Sequence, residues 1–325
     1  MNPKRCLYCY QPLPEGATDF HEGCSRKFFD TPIPPLLDYN KAQMQELAKE
    51  IVLRSVAVTG VQPKLSLTIE QQPGDPKRSR FTIVGLWGNF ILKPPSEQFP
   101  YLPENEDLTM HLATLLDIAT AEHSLIRLQS GELAYLTRRF DRIEREKLAL
   151  EDMCQLTETL TSDKYRGSME KIGRQIALFS TQPGLDAIRF FELALFSFLT
   201  GNADMHLKNF SLLTNTANET SLSPAYDLVS TKIAIPEDKE DMALTINGRK
   251  RKVKKADFDL FASHLKIPAR AIQNIYKKFS NGLPAVLACI DTSFLLEKEQ
   301  THYKALIREN AAKLELTDIH GQSKT

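Results

Sequence analysis

The sequence predicts an α+β fold of two lobes, a small mixed lobe followed by a larger helical one, behind a short head that carries cysteines and a histidine. Three observations carry this reading. Short β-branched runs broken by turn-forming residues occupy positions 56–95, apolar residues recur with a helical period beyond position 150, and 325 residues with 42% hydrophobic content suffice for more than one core. The expected divisions are 1–30 for the head, 31–137 for the small lobe and 138–325 for the helical lobe. Forty-one basic and 41 acidic residues cancel, so no whole-molecule field draws the chain to nucleic acid or to an anionic membrane. No apolar stretch reaches the roughly 18–20 residues of a membrane span, and "MNPKRCLYCY" lacks the apolar core of a leader. A cytoplasmic protein without membrane contacts is the expectation.

In the head, Cys6 and Cys9 are separated by two residues, eleven follow, and His21 and Cys24 are again separated by two. Two such knuckles can supply four ligands to a tetrahedral Zn2+, which leaves no open position for substrate and makes the site structural and independent of catalysis. The alternative is a set of free cysteines beside a surface histidine. Cys154 sits in an apolar-periodic stretch and reads as core. "DTPIPPLLDY" is an extended linker and "NKAQMQELAKEIVLRS" an amphipathic helix. "VAVTGVQPKLSLTIE" enters a strand through a loop holding Gly60, "QQPGDPKRSR" is a turn, and "RFTIVGLWGNFILKPP" supplies one or two more strands, the last ending at Lys93 before two prolines. Alone, Lys93 reads as an ordinary strand-end lysine. The helix "ENEDLTMHLATLLDIA" follows with Glu104, Glu106 and Asp107 in its first turn, any of which can hold that lysine. "GELAYLTRRFDR" is a turn, a strand and a polar exit at Phe140 and Asp141, a suitable hinge. The remainder is mostly helical, through "SMEKIGRQIALFS", "AIRFFELALFSFLT" and a C-terminal run from "ADFDLFASHLK" to "HYKALIRENAAKLEL".

The most polar loop, "GNADMHLKNF", leaves the most apolar helix. Phosphoryl transfer needs a carboxylate to orient a hydroxyl nucleophile, an amide oxygen on Mg2+, and a second carboxylate bridging that ion to the phosphates. Protein-kinase catalytic loops place the acid and the amide five residues apart, as Asp204 and Asn209 are. "FSLL", the turn-rich "TNTANET" and "LSPAYDLVST" read as a hairpin whose return strand delivers Asp227. Taken singly, Asp204 is a helix cap and Asn209 a turn former. In order with Lys93, the Gly60 loop and Asp227, they read as a kinase site.

From these motifs the chain resembles the HipA-type serine/threonine kinases of bacterial toxin–antitoxin systems over most of residues 50–310, with a two-lobed protein-kinase-like fold implied. "VTGVQPK" resembles the family's glycine-rich loop, "FILKPP" its ATP-lysine strand, "NEDLTMHLA" its first-lobe helix, "LTRRFDR" its hinge, "LEDMCQL" its post-hinge signature, "DMHLKNFS" its catalytic loop and "SPAYDLVS" its metal-binding strand. The resemblance implies ATP and Mg2+. It places Gly60, Val61 and Gln62 in the glycine-rich loop, Lys93 with Glu106 on the α- and β-phosphates, backbone of Arg138 and Phe140 on adenine, and Asp141 on ribose. It makes Asp204 the catalytic base, with His206 and Lys208 in the same loop, and puts Asn209 and Asp227 on Mg2+. Members often carry a regulatory serine in the glycine-rich loop; Ala57 aligns with it here, which leaves Thr59 as the hydroxyl to be autophosphorylated.

The chain is similar to short members of the family, in which the extra N-terminal subdomain of long members is a separate small protein acting with a helix-turn-helix antitoxin of the HipB type. Contact with DNA is then indirect. Three functions follow: a toxin kinase acting on an aminoacyl-tRNA synthetase, a kinase of another protein or of a phosphoinositide lipid, and a catalytically degenerate corepressor scaffold. The basic "NGRKRKVKK" at 247–255 reads as a solvated hairpin end or partner site, with nucleic acid as the alternative.

Overall fold

A computed structural model describes residues 4–54, 64–72, 75–84, 87–143 and 146–316. The expected glycine-rich segment, with Thr59, Gly60, Val61 and Gln62, lies outside the described residues. Two compact units emerge: residues Met1–Asp107, Ala121–Phe140 and Thr292–Phe294 form the first, and Leu108–Thr120, Asp141–Asp291 and Leu295–Thr325 the second. The chain thus passes between units after Phe140.

The first unit contains α1 (Glu22–Phe29), α2 (Lys41–Arg54), β1 (Leu65–Gln72), β2 (Asp75–Ile83), β3 (Phe90–Lys93), the start of α3 (Leu102–Leu115), β4 (His123–Arg127) and β5 (Leu133–Arg138). Its strands form one sheet in the order β2-β1-β3-β5-β4, antiparallel throughout. The strands extend further than expected into "QQPGDPKRSR" from both sides, with Gln71 opposite Ser79 and Gln72 opposite Asp75. Cross-strand pairing overrides the weak strand preference of these polar residues.

Alternate positions of β1 and β3 bury Leu65, Leu67, Phe90 and Leu92, the two-residue period of a sheet with one face on a core. That core is aromatic. Phe28 and Phe29 of α1 meet edge-on with ring centroids 4.8 Å apart, and Phe81 and Phe90 extend the cluster at 5.5 Å from each other. Cys6, Leu7 and Phe20 belong to the same core, and the Leu125 amide donates to the Leu7 carbonyl at 3.3 Å. So short a segment as 1–30 cannot bury a core of its own, and it contributes its aromatic side chains to that of the sheet.

The second unit holds β6 (Arg142–Ile143), β7 (Glu146–Lys147), β8 (Ala149–Asp152), α4 (Met153–Leu156), α5 (Met169–Phe179), α6 (Pro183–Leu199), β9 (Ser211–Thr214), β10 (Thr220–Leu222), α7 (Thr231–Ala234), α8 (Lys255–His264), α9 (Ala269–Asp291) and α10 (Glu297–Lys313). The order β10-β9-β8 makes a small antiparallel sheet. Helix α6 begins at Pro183, whose fixed φ suits a first helical position, and buries Phe190, Phe191, Phe196 and Phe198. A helix apolar on most sides becomes the centre of its unit. Asp227 lies beyond β10, which ends at Leu222, so the expected return strand stops five residues short of it.

Candidate active site

Lys93 closes β3, and its Nζ donates to Glu106 Oε1 at 2.5 Å with both side chains almost wholly buried (4% and 3% exposed). A lysine so buried keeps its charge only beside a partner, and Glu106 at the start of α3 is such a partner. The ammonium also lies 5.4 Å over the ring of Tyr135, its direct cross-strand neighbour. Burial first, and then the charges of Glu106 and Asp107, hold the Tyr135 phenol well above its usual range. Asp107 accepts from the Tyr10 hydroxyl and from His123 Nδ1, each at 2.7 Å. Burial, reinforced by Asp107 against a local backbone hydrogen bond, pushes the Glu104 carboxyl up to about 7.

In the second unit, the loop after α6 is set by how that helix ends. Gly201 adopts φ +65°, its amide donates to Phe198 and that of Asn202 to Ser197, the paired bonds of a Schellman cap. The chain then turns through Asp204. The His206 amide donates to the Asp204 carbonyl at 2.8 Å, and Asn209 Nδ2 donates to the same oxygen at 3.0 Å. That bond commits the amide nitrogen and leaves the amide oxygen of Asn209 as the donor offered to a cation. Asp204 and Lys208 are half-buried, His206 and Asn209 buried.

Lys208 Nζ donates to Asp152 Oδ2 at 2.9 Å, and Asp152 caps α4 in a reciprocal capping box with Gln155. Asp227 takes φ +58°, a strained region for a residue with a Cβ and one that recurs at functional sites. Its neighbour Tyr226 ties this segment to the loop, since its hydroxyl donates to the Lys208 carbonyl at 2.9 Å and shares a 2.6 Å hydrogen bond with Ser211 Oγ. Tyr165 donates its hydroxyl to Asp204 Oδ1 and meets His206 edge-on at 5.0 Å. Burial first, then the Asp204 charge and this hydrogen bond, keep the Tyr165 phenol well above its ordinary range.

The first unit therefore joins Lys93 and Glu106, and the second gathers Asp204, His206, Lys208 and Asn209 in one loop, to which Tyr226, the residue before Asp227, is hydrogen-bonded. Asp141 pairs with Arg142 Nη1 at 2.6 Å and its carbonyl accepts from the Leu148 amide. Arg138 directs its guanidinium to the Phe28 carbonyl at 2.6 Å and to Asp30. Sequence reasoning assigned no role to Asp152, Tyr165 and Tyr226, although Asp152 and Tyr226 lie inside "LEDMCQL" and "SPAYDLVS". Within the first unit, a buried paired lysine suits a phosphate oxygen; within the second, the Asn209 amide oxygen and the Asp227 carboxylate are hard oxygen donors of the kind Mg2+ takes. In the 247–255 stretch, Arg249, Lys250 and Lys255 pair with Asp257, Glu240 and Asp259, which favours a self-neutralised surface over a nucleic-acid patch.

In the head, one ligand atom from each of Cys6, Cys9, His21 and Cys24 lies within 4.8 Å of the others. His21 Nδ1 is 3.4 Å from Cys9 Sγ and 3.7 Å from Cys24 Sγ, while Nε2 lies 3.0 Å from the Pro12 carbonyl.

A profile of the family described as HipA-like C-terminal domain matches residues 56–287. The serine/threonine-protein kinase toxin HipA of Shewanella oneidensis is 32% identical over 198 residues, 54% of this chain and 43% of its own. Y4dM of Sinorhizobium fredii, which bears a kinase name, is 34% identical over 209 residues, 60% of this chain and 49% of its own. The chain spans about half the length of the curated relatives it matches. Among solved structures, HipA of S. oneidensis in complex with HipB and operator DNA superposes with a TM-score of 0.64 at 23% identity, covering 86% of this chain and 73% of that one. The Helicobacter pylori proinflammatory kinase CtkA superposes at 0.51 and 16% identity, covering 70% and 89%. The fold is the mixed α/β kinase-like fold of these proteins.

Proposed function

The chain belongs to the HipA-like C-terminal domain family, and from that premise we propose that it is an ATP-dependent serine/threonine protein kinase acting as a toxin. The observation that carries the proposal is the 204–209 loop, where Asn209 closes onto Asp204 and Tyr226, the residue before Asp227, bonds to the Lys208 carbonyl. Asp204 accepts the proton of the acceptor hydroxyl, as its Oδ1 already accepts from Tyr165. Lys93, held by Glu106, neutralises phosphate oxygens of ATP. Asn209 and Asp227 would hold Mg2+, which would supply charge neutralisation on the transferring phosphate. Lys208, anchored by Asp152, and the buried His206 shape the loop around the acceptor.

The other metal in this reading is Zn2+ in the Cys6, Cys9, His21 and Cys24 head. The partner class is a helix-turn-helix antitoxin, supported by the HipB complex of the S. oneidensis relative, together with a small protein equivalent to the family's extra subdomain. The acceptor is a protein serine, with an aminoacyl-tRNA synthetase as the expected substrate, and control passes through phosphorylation of Thr59 beside Gly60, where close to two negative charges would oppose nucleotide phosphates. Phosphopeptide mapping of protein incubated with Mg–ATP should find Thr59 modified.

Asp204→Asn and Asp227→Asn separate the roles. The first should bind Mg–ATP like the parent while transfer of radiolabelled phosphate falls by about 10²–10⁴. The second should lose both magnesium-dependent nucleotide binding and transfer. Calorimetry in which both variants bind alike, or transfer that survives Asp204→Asn, would overturn the assignment.

A further inference from the structure

Resting on the zinc assignment above, and against the expectation that the head is independent of catalysis, we propose that the metal in the N-terminal head positions Glu106 for Lys93, with Tyr10 as the connecting residue. The four donors fit zinc. Bonds of about 2.3 Å to sulfur and 2.0–2.1 Å to nitrogen at tetrahedral angles place such ligand atoms about 3.6 Å apart, and His21 Nδ1 stands 3.4 and 3.7 Å from two of the sulfurs. A carbonyl only accepts, so His21 Nε2 carries the proton that it donates to Pro12. Nδ1 is thereby left as the lone-pair donor facing the thiols, the outer-shell arrangement that orients metal-bound histidines.

Tyr10 is the residue after Cys9. It sits at φ +63°, a left-handed conformation disfavoured for an aromatic residue, and its amide donates to the Cys6 carbonyl at 3.0 Å. A metal that clamps Cys6 and Cys9 together holds this turn closed. From it the Tyr10 hydroxyl donates to buried Asp107 at 2.7 Å, against His123 on the other carboxylate oxygen. Asp107 directly follows Glu106, so the hydrogen bond fixes the helical turn whose preceding side chain holds Lys93 at 2.5 Å. Opening the knuckle releases Tyr10, and with it the constraint on the start of α3. Tyr10 is a positioning residue: it acts on the lysine through Asp107 and the helix.

Three measurements test this on the full chain. Purified protein should contain about one zinc, and its cobalt-substituted form should show thiolate charge-transfer bands with the intense visible absorption of tetrahedral coordination. Tyr10→Phe should retain the zinc yet weaken Mg–ATP binding roughly tenfold, the scale expected for one buried hydrogen bond to a charged group. In a double-mutant cycle with Glu106→Gln the two losses should be strongly non-additive. Chelator-stripped protein should show a similar loss, reversed by zinc. Hydrogen exchange at the start of α3 should quicken in both Tyr10→Phe and stripped protein. Zinc well below half an equivalent, additive losses, or unchanged exchange in the stripped protein would each overturn the proposal. Failure of the zinc-loaded parent to bind Mg–ATP would instead count against the kinase reading, and exchange at α3 would still decide the coupling.

Discussion

Tyr165 offers Asp204 a hydroxyl before any acceptor is bound. If Asp204 acts as the base, this contact holds one carboxylate oxygen while the acceptor uses the other. Tyr165→Phe should therefore lower kcat roughly tenfold, as loss of a hydrogen bond to a charged group implies, with the KM for ATP unchanged. Steady-state kinetics with varied ATP measures both, and an unchanged kcat would remove Tyr165 from the site. Glu104 provides a pH test. Its folded-state pKa of about 7 exceeds the ordinary 4.5, so between these values the native chain holds more protons than the unfolded chain, and stability falls as pH rises through that window. Glu104→Gln should match the parent below pH 4.5 and exceed it above pH 7, by an amount on the order of 2–3 kcal/mol. Denaturant titrations at pH 4.5 and 8 compare the two, and equal gains at both would exclude this cause.

Among the elements, α6 and the loop it launches depend on one position. Gly201 holds φ +65°, and a Cβ there would meet Lys232 Cγ and Leu306 Cδ2, each at 2.8 Å. Gly201→Ala should thus cost about 2–3 kcal/mol, from left-handed strain plus displacement of two side chains, and should disturb the Asp204 loop with it. Chemical denaturation reads the stability term; a loss under 0.5 kcal/mol would show that the cap tolerates a side chain. The helix itself was legible over its apolar part, because the recurrence of apolar residues is a local signal. Strand β4 was not read, and the first residues of β2 were taken for part of a turn. Both acquire their state from partners, β4 from β5 and β2 from β1, and pairing across distant sequence leaves little local trace.

For the whole molecule, a ligand that binds only the native state stabilises it by mass action. Mg–ATP at a hundred times its Kd should add about 2.7 kcal/mol to unfolding. The same concentration should add far less to Lys93→Ala, because the buried pair with Glu106 is then lost. Thermal scans with and without nucleotide give this comparison, and an equal shift in both proteins would detach Lys93 from the nucleotide.

The sequence by itself determined the order of the parts. The acid-to-amide spacing of Asp204 and Asn209, the lysine closing an apolar strand, and the paired knuckles of the head are all readable because short-range chemistry demands particular residue types at particular intervals. Only the tertiary structure decided which groups meet. It brought Glu106 to Lys93, Asp152 to Lys208 and Tyr165 to Asp204 across 56 and 39 residues, and left Asp227 outside any strand. It also merged the head with the sheet, joining Tyr10 to Asp107 across 97 residues. The physical reason is burial. A charge or hydroxyl removed from water must find a partner wherever packing leaves one, and packing depends on the entire chain.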